Sequence, residues 1–143
     1  MIKPTHKVGV SVLLTNACGE LLLGRRTGTT ASGLLSTPGG HLEIEEDFIS
    51  CACREFKEET GADLCSPYVE IIGFKKHFRY GDHYIMFYAH ATDYNGVIEN
   101  TEPDKCAGWA WYDISKIEPG TCTEPEDILD IVRRRHSNDR RYV

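Results

Sequence analysis

From His6 to Thr15 apolar and polar or small residues alternate, with Val8, Val10, Val12 and Leu14 on one phase and Leu13 on the other. A period of two carried by β-branched side chains predicts a strand. Asn16 to Gly19 has turn composition, and Leu21, Leu22 and Leu23 carry a second strand over residues 20–25. The polar stretch RTGTTASGLL, residues 26–35, predicts a loop long enough to frame a pocket, with a short strand over 34–36 stopped by Pro38. After Gly40 the period changes. Ile49, Ala52, Cys53 and Phe56 recur at i, i+3, i+4 and i+7, which predicts a helix over 46–60 with Gly61 as its stop.

Two longer strands follow at 69–80 and 83–92, flanking Gly81-Asp82 as a hairpin turn. In the second, Tyr84, Met86 and Tyr88 form one phase and Ile85, Phe87 and Ala89 the other. Asp93 to Asp104 is a polar loop, and CAGWAWYDI at 106–114 reads as a final strand. Thr123 and Glu126 form a capping box with Pro125 in the first turn, opening a helix that packs Ile128, Leu129, Ile131 and Val132 on the sheet. With no internal repeat and no linker, the expectation is one α+β domain over residues 1–143, layered as an α/β/α sandwich.

Composition removes several classes. No apolar run approaches ~18 residues, which argues against a membrane span. The start, MIKPTHKVGV, lacks the apolar core and cleavage pattern of a secretory signal. Net charge is -6, yet Arg133, Arg134, Arg135, Arg140 and Arg141 hold five of the 16 basic residues. The acidic remainder would repel a phosphate backbone, so these arginines, with His136, read as a solubilising helix end suited to the dipole rather than a nucleic-acid surface. Six cysteines, at 18, 51, 53, 65, 106 and 122, contain no CxxC pair, and His77, His83 and His90 do not combine with them in zinc-site spacing. Reduced thiols in a cytoplasmic protein, with no membrane and no polymeric nucleic acid as partner, are the expectation.

Chemistry gathers at one place. On the first helix Glu55, Glu58 and Glu59 share one arc, just after the Pro38-Gly39-Gly40 turn. Three like charges so close repel, and a hard cation with oxygen ligands would remove the repulsion. The competing reading is a solvated acidic face in a chain with 22 Asp and Glu.

The residues around the three carboxylates bear on that choice. Gly40, Glu46, Arg54, Glu55, Glu58, Glu59 and Gly61 together resemble the Nudix signature, matching its seven fixed positions across 22 residues. The TPGGHLE run at 37–43 and the CAGWAW segment look most like the MutT-like nucleoside triphosphate pyrophosphohydrolases. The resemblance implies the Nudix-fold α/β/α sandwich with a mixed β-sheet. It also implies Mg2+-dependent hydrolysis of a nucleoside triphosphate, modified and deoxy nucleotides included, to the monophosphate and pyrophosphate, with Mn2+ able to substitute. Two alternatives stand beside it: hydrolysis of a nucleoside diphosphate derivative such as a nucleotide sugar, and a non-catalytic nucleotide-binding module. The seven retained positions weigh against the second.

By the same resemblance the metal ligands are Glu55, Glu58, Glu59 and the Gly40 carbonyl, with Arg54 orienting a neighbouring carboxylate. Glu46 supports the loop-helix geometry, and Gly39 and Gly61 belong to the structural frame. The general base stays open among Glu58, Glu59, Glu102 and Asp104. For the substrate, His41 faces phosphates or base, Trp109 or Trp111 stacks on the base, and Arg25, Arg26 and Lys75 or Lys76 neutralise phosphates. Two positions depart from the pattern: Glu45 stands where glycine is frequent, tolerable if its φ stays negative, and Ala62 replaces a bulkier aliphatic. Relatives often form homodimers, but no interface is legible in the residues.

Overall fold

Strand β1 (His6–Leu14) is buried on both phases of its alternation, and that decides the architecture. The computed structural model describes residues 6–28, 31–79 and 81–138, so Thr29, Thr30, Tyr80, Arg140 and Arg141 lie outside the described residues. After β1 come β2 (Glu20–Arg26), β3 (Leu35–Ser36), β4 (Gly39–His41), helix α1 (Phe48–Thr60), β5 (Asp63–Leu64), β6 (Val69–Arg79), β7 (Asp82–Ala91), β8 (Tyr94–Asn95), β9 (Cys106–Asp113) and helix α2 (Glu126–Asn138). The main sheet runs β4-β1-β7-β6 and is mixed: β1 lies parallel to β7 and antiparallel to β4. A second sheet runs β3-β2-β9, and β5 pairs with β8.

Alternation then sorts the side chains into two cores. Val10, Val12, Leu14 and Ala89 pack with Cys51, Ala52 and Phe56 of α1 on one side. Leu13 and Tyr88 pack with Leu21, Leu23 and with Ile128, Leu129 and Val132 of α2 on the other. Because a strand sends successive side chains to opposite faces, one sheet is covered by helices on both sides. The result is the α/β/α sandwich expected from the element pattern.

Several local expectations need correction. Helix α1 begins at Phe48 rather than at residue 46, because Asp47 takes the N-cap and its carboxylate accepts the Ser50 N–H at 2.7 Å. Gly61 does end it, with φ 77° and its N–H on the Lys57 carbonyl. Glu45 has φ 64°, not a negative value, so the turn into the helix places a side chain in the left-handed region that glycine occupies without strain. The Thr123–Glu126 capping box does not form among the described residues. Glu126 bonds Arg133 instead, α2 starts after Pro125, and the Thr123 hydroxyl contacts Ser36 and Glu124. Asp82 belongs to β7, opposite Arg79, rather than to the turn, and Gly81 before it has φ 79°. Residues 93–104, expected to be loop throughout, contain β8. No helix among the described residues is long and apolar enough to cross a membrane.

Candidate active site

The short strand β4 brings its glycines against two elements at once. Gly40 pairs with Val10 of β1 while the Glu55 carboxylate lies over its Cα, where any Cβ would collide with it. A Cβ on Gly39 would meet the Val10 carbonyl. Gly39 therefore requires glycine for close approach to a strand backbone, whereas a side chain at residue 40 would have to displace the Glu55 carboxylate. One turn beyond Glu55 on α1, Glu59 accepts the Gly39 N–H at 2.9 Å. Helical spacing thus sends Glu55 and Glu59 to adjacent points of one extended stretch.

Arg54 organises the remaining acids. Its guanidinium grips Glu46 with two bonds, Nε to Oε2 at 2.7 Å and Nη2 to Oε1 at 3.0 Å. Nη1 reaches Glu55 at 2.8 Å and Glu58 at 3.3 Å, and Nη2 also donates to the His41 carbonyl at 2.9 Å. One planar fork therefore ties the loop before the helix to the helix itself. The Arg54 hydrogen bond holds the Glu46 carboxyl down at about 2. Glu55 moves the other way: burial raises it, and the charges of Glu58 and Glu102 add to the effect against Arg54. Burial pushes Glu59 up to about 8, opposed by the Gly39 N–H and reinforced by Glu55 and Glu102. Two carboxyls that burial and mutual repulsion drive toward their neutral forms mark a place short of positive charge. Among the described residues no three acidic, histidine or cysteine side chains already converge as a metal cage. Glu46, Glu55 and Glu58 point at the Arg54 guanidinium instead, and Glu58 does so through its longest bonds from an exposed position.

A cavity of about 260 Å³ opens beside Glu59 and the two glycines, between β1, β4 and β7. Of the residues expected at the site, Gly39, Gly40, His41, Glu59 and Arg26 line it. Glu102 lies near enough to raise Glu55 and Glu59, although its own carboxylate pairs with Lys105 at 3.0 Å. Asp104 contributes its carbonyl to the Thr27 hydroxyl and does not line the cavity. Arg25 donates to the Gly33 carbonyl and lines a separate cleft with Tyr112 and Lys116. Lys75 pairs with Asp127, and Lys76 is exposed on β6. Neither tryptophan lines the cavity. Both pack on the α1-side core, and the Trp109 indole N–H donates to the Glu59 carbonyl at 3.2 Å.

Sequence reasoning passed over the cavity's other wall. Tyr84, Met86 and Tyr88 line it, as do Thr37 and Glu124. The strand phase containing Tyr84, Met86 and Tyr88 was a usable signal, because it had to face something. Thr37 and Glu124 meet across 87 positions of sequence, at 2.8 Å, with no local pattern to announce it.

The fold matches a MutT NUDIX hydrolase from Burkholderia pseudomallei with a TM-score of 0.77 at 21% identity, covering 91% of this chain and 97% of that one. It matches the MutT protein of Methanosarcina mazei Go1 with a TM-score of 0.73 at 22% identity, covering 97% and 100%. In sequence, the chain is similar to the m7GpppN-mRNA hydrolase NUDT17 of Danio rerio, 44% identical over 59 residues, 40% of this chain and 20% of that protein. It is also similar to Nudix hydrolase 8 of Arabidopsis thaliana, 34% identical over 73 residues, 50% and 19%. The match thus spans about a fifth of the length of these relatives. The NUDIX domain model extends well beyond the signature helix, over residues 5–130, and the chain belongs to the NUDIX domain family.

Proposed function

We propose that this chain hydrolyses a nucleoside triphosphate to the nucleoside monophosphate and pyrophosphate. The observation that carries the reading is the meeting of Glu55 and Glu59 with the Gly39-Gly40 backbone at the edge of an open cavity. Membership of the family and the MutT-like fold support hydrolysis of a nucleotide-derived substrate.

The donor set fits a hard divalent cation: the oxygen ligands of Glu55 and Glu59, a third carboxylate on the exposed Glu58, and the carbonyl of Gly40, the residue whose Cα lies under Glu55. Glu55, Glu58, Glu59 and the Gly40 carbonyl would hold Mg2+, with Mn2+ able to substitute. Bound there, the ion supplies Lewis-acid neutralisation of phosphate oxygens. The chain's own groups do the rest. Arg54 keeps Glu55 and Glu46 in orientation, and an unprotonated carboxylate among Glu58, Glu59 and Glu102 takes a proton from the attacking water. The Gly39 N–H fixes the Glu59 carboxylate at the cavity wall.

Incubation with Mg2+ and a set of ordinary and oxidised nucleotides, with products followed by 31P NMR, tests this. Release of pyrophosphate from at least one nucleotide is expected. Glu58→Gln should lower turnover by about 10²–10⁴-fold while leaving circular dichroism unchanged. It should also shrink the rise in Tm that Mg2+ gives the parent chain. Unchanged turnover in that variant removes Glu58 from the machinery. A second reading takes its support from the relatives' names, since NUDT17 is named an m7GpppN-mRNA hydrolase and another relative an RNA pyrophosphohydrolase. A capped or triphosphorylated RNA end carries the same type of bond, so both substrates belong in the set.

A further inference from the structure

The last turn of α1 is held from outside the helix. An α-helix leaves its final four carbonyls without partners of its own. In α1 the capping Gly61 N–H takes the Lys57 carbonyl at 2.9 Å. The next three carbonyls all go to the segment between β8 and β9 and to β9 itself. The Thr101 hydroxyl donates to Glu58 at 2.6 Å, the Trp109 indole N–H to Glu59 at 3.2 Å, and the Glu99 N–H to Thr60 at 2.8 Å. Two of these carbonyls belong to the residues whose carboxylates serve the site.

We infer that Thr101 and Trp109 are positioning residues: through the Glu58 and Glu59 carbonyls they hold the carboxylate-bearing turn and the Glu102 segment in one frame. The inference rests on the proposed reaction and its metal site. Neither side chain lines the cavity, so each acts through the helix it grips.

Electrostatics gives these donors a second task. The C-terminal end of a helix carries roughly half a negative charge on its free carbonyls. Glu55, Glu58 and Glu59 stand at that same end, where the helix itself opposes their charge. A donor on each carbonyl offsets part of that opposition without adding a cation that would compete for the carboxylates.

Glu102 follows Thr101 directly, and its surroundings are braced. Asn100 accepts the Glu102 N–H at 3.3 Å and donates to the Cys106 carbonyl at 2.8 Å. The Glu102 charge in turn acts on both Glu55 and Glu59. One hydroxyl therefore sets the spacing between Glu102 and the α1 carboxylates, and small misplacements of such groups cost activity before they cost the fold.

The competing role is a plain helix cap, whose loss would lower Tm and leave metal affinity and kcat as they were. The experiment compares the parent chain with Thr101→Val, Thr101→Ser and Trp109→Phe. Mn2+ affinity is read by electron paramagnetic resonance without nucleotide, and kcat and KM with Mg2+ and the nucleotide turned over fastest. Thr101→Val keeps the shape and loses the donor. It should weaken Mn2+ binding about tenfold and lower kcat by a similar factor, with KM unchanged. Thr101→Ser keeps the hydroxyl and should stay within about twofold of the parent. Trp109→Phe should move both quantities in the same direction as Thr101→Val.

Unchanged Mn2+ affinity and kcat in Thr101→Val would overturn the role of Thr101, as would a serine variant as impaired as the valine one. The same values unchanged in Trp109→Phe would overturn the role of Trp109. If Trp109→Phe fails to fold by circular dichroism, the two Thr101 variants decide, since that side chain is exposed. A parent that binds Mn2+ but turns over no nucleotide falls on the proposed reaction, and the binding measurements still judge the inference. A parent that binds no Mn2+ overturns both.

Discussion

The two sides of the cavity are built by different means. At the phosphate side, Gly39, Gly40, Glu55 and Glu59 come from 21 consecutive positions, and one helix docked on one short strand brings them together. At the other side, Thr37, Tyr84 with Met86, and Glu124 come from three separate parts of the chain, joined by the β1–β7 pairing and the docking of α2. The first is a matter of helical spacing, which a sequence displays. The second is a matter of topology, which it does not. Reactive groups that must hold one another to within a hydrogen bond profit from local construction. Groups that choose a ligand can be spread over the fold and changed independently.

The strongest way to break that contrast is to undock α1. Phe56 is 0% exposed in the core between α1 and the sheet. Phe56→Ala should cost about 3–5 kcal/mol of stability, read by urea denaturation. Below full unfolding, it should impair Mg2+ binding more than nucleoside binding, because only the phosphate side rides on α1. Equal losses on both sides would erase the distinction.

A narrower cut is Arg54→Met, which leaves the partly buried Glu46 and Glu55 without their shared cation. A loss of about 2 kcal/mol is expected by chemical denaturation. Its pH dependence has a definite sign. Glu46 titrates at about 2 in the folded chain against an ordinary 4.5, so the unfolded chain takes the proton first. Its contribution is complete above about pH 4.5 and drains away as pH falls toward 2. Subtracting the profile of Glu46→Gln from that of the parent should isolate this loss, and in an Arg54→Met background the difference should shrink to the smaller part that the Glu43 N–H supplies.

The smallest effect belongs to Glu45. Glu45→Gly relieves a left-handed backbone at φ 64° and should raise stability by about 0.5–1 kcal/mol, seen as a higher Tm. It should leave nucleoside binding unchanged, since the turn it relaxes leads into α1.

What was legible follows the same line. Periods of two and 3.6 located the long strands and both helices but not the short β4, β5 and β8, and the spacing from Gly40 to Gly61 located the carboxylates, because period and spacing are properties of neighbouring residues. The helix start moved by two positions since Asp47, two residues before the periodic run, takes the cap, while the Glu46 carboxylate is held by Arg54. Aromatic content suggested Trp109 and Trp111 for the base, whereas both pack on the α1-side core. Nothing in the order of residues says which face of β9 turns inward. Glu124 was invisible for a simpler reason: an acidic residue before a helix reads as a cap until its partner across the fold is known.

The parallel pairing of β1 with β7 also sets a schedule. Of the described strands β1 leaves the ribosome before the others, yet its register partner begins at His83 and Glu124 comes later still. At synthesis rates of about 5–20 residues per second, the apolar faces of β1 wait several seconds for cover. Such long-range closure slows folding. Newly made chains therefore have a window in which the central strand of the sheet is open to the wrong partner, and a nascent chain stalled before residue 91 should be the most aggregation-prone form of this protein.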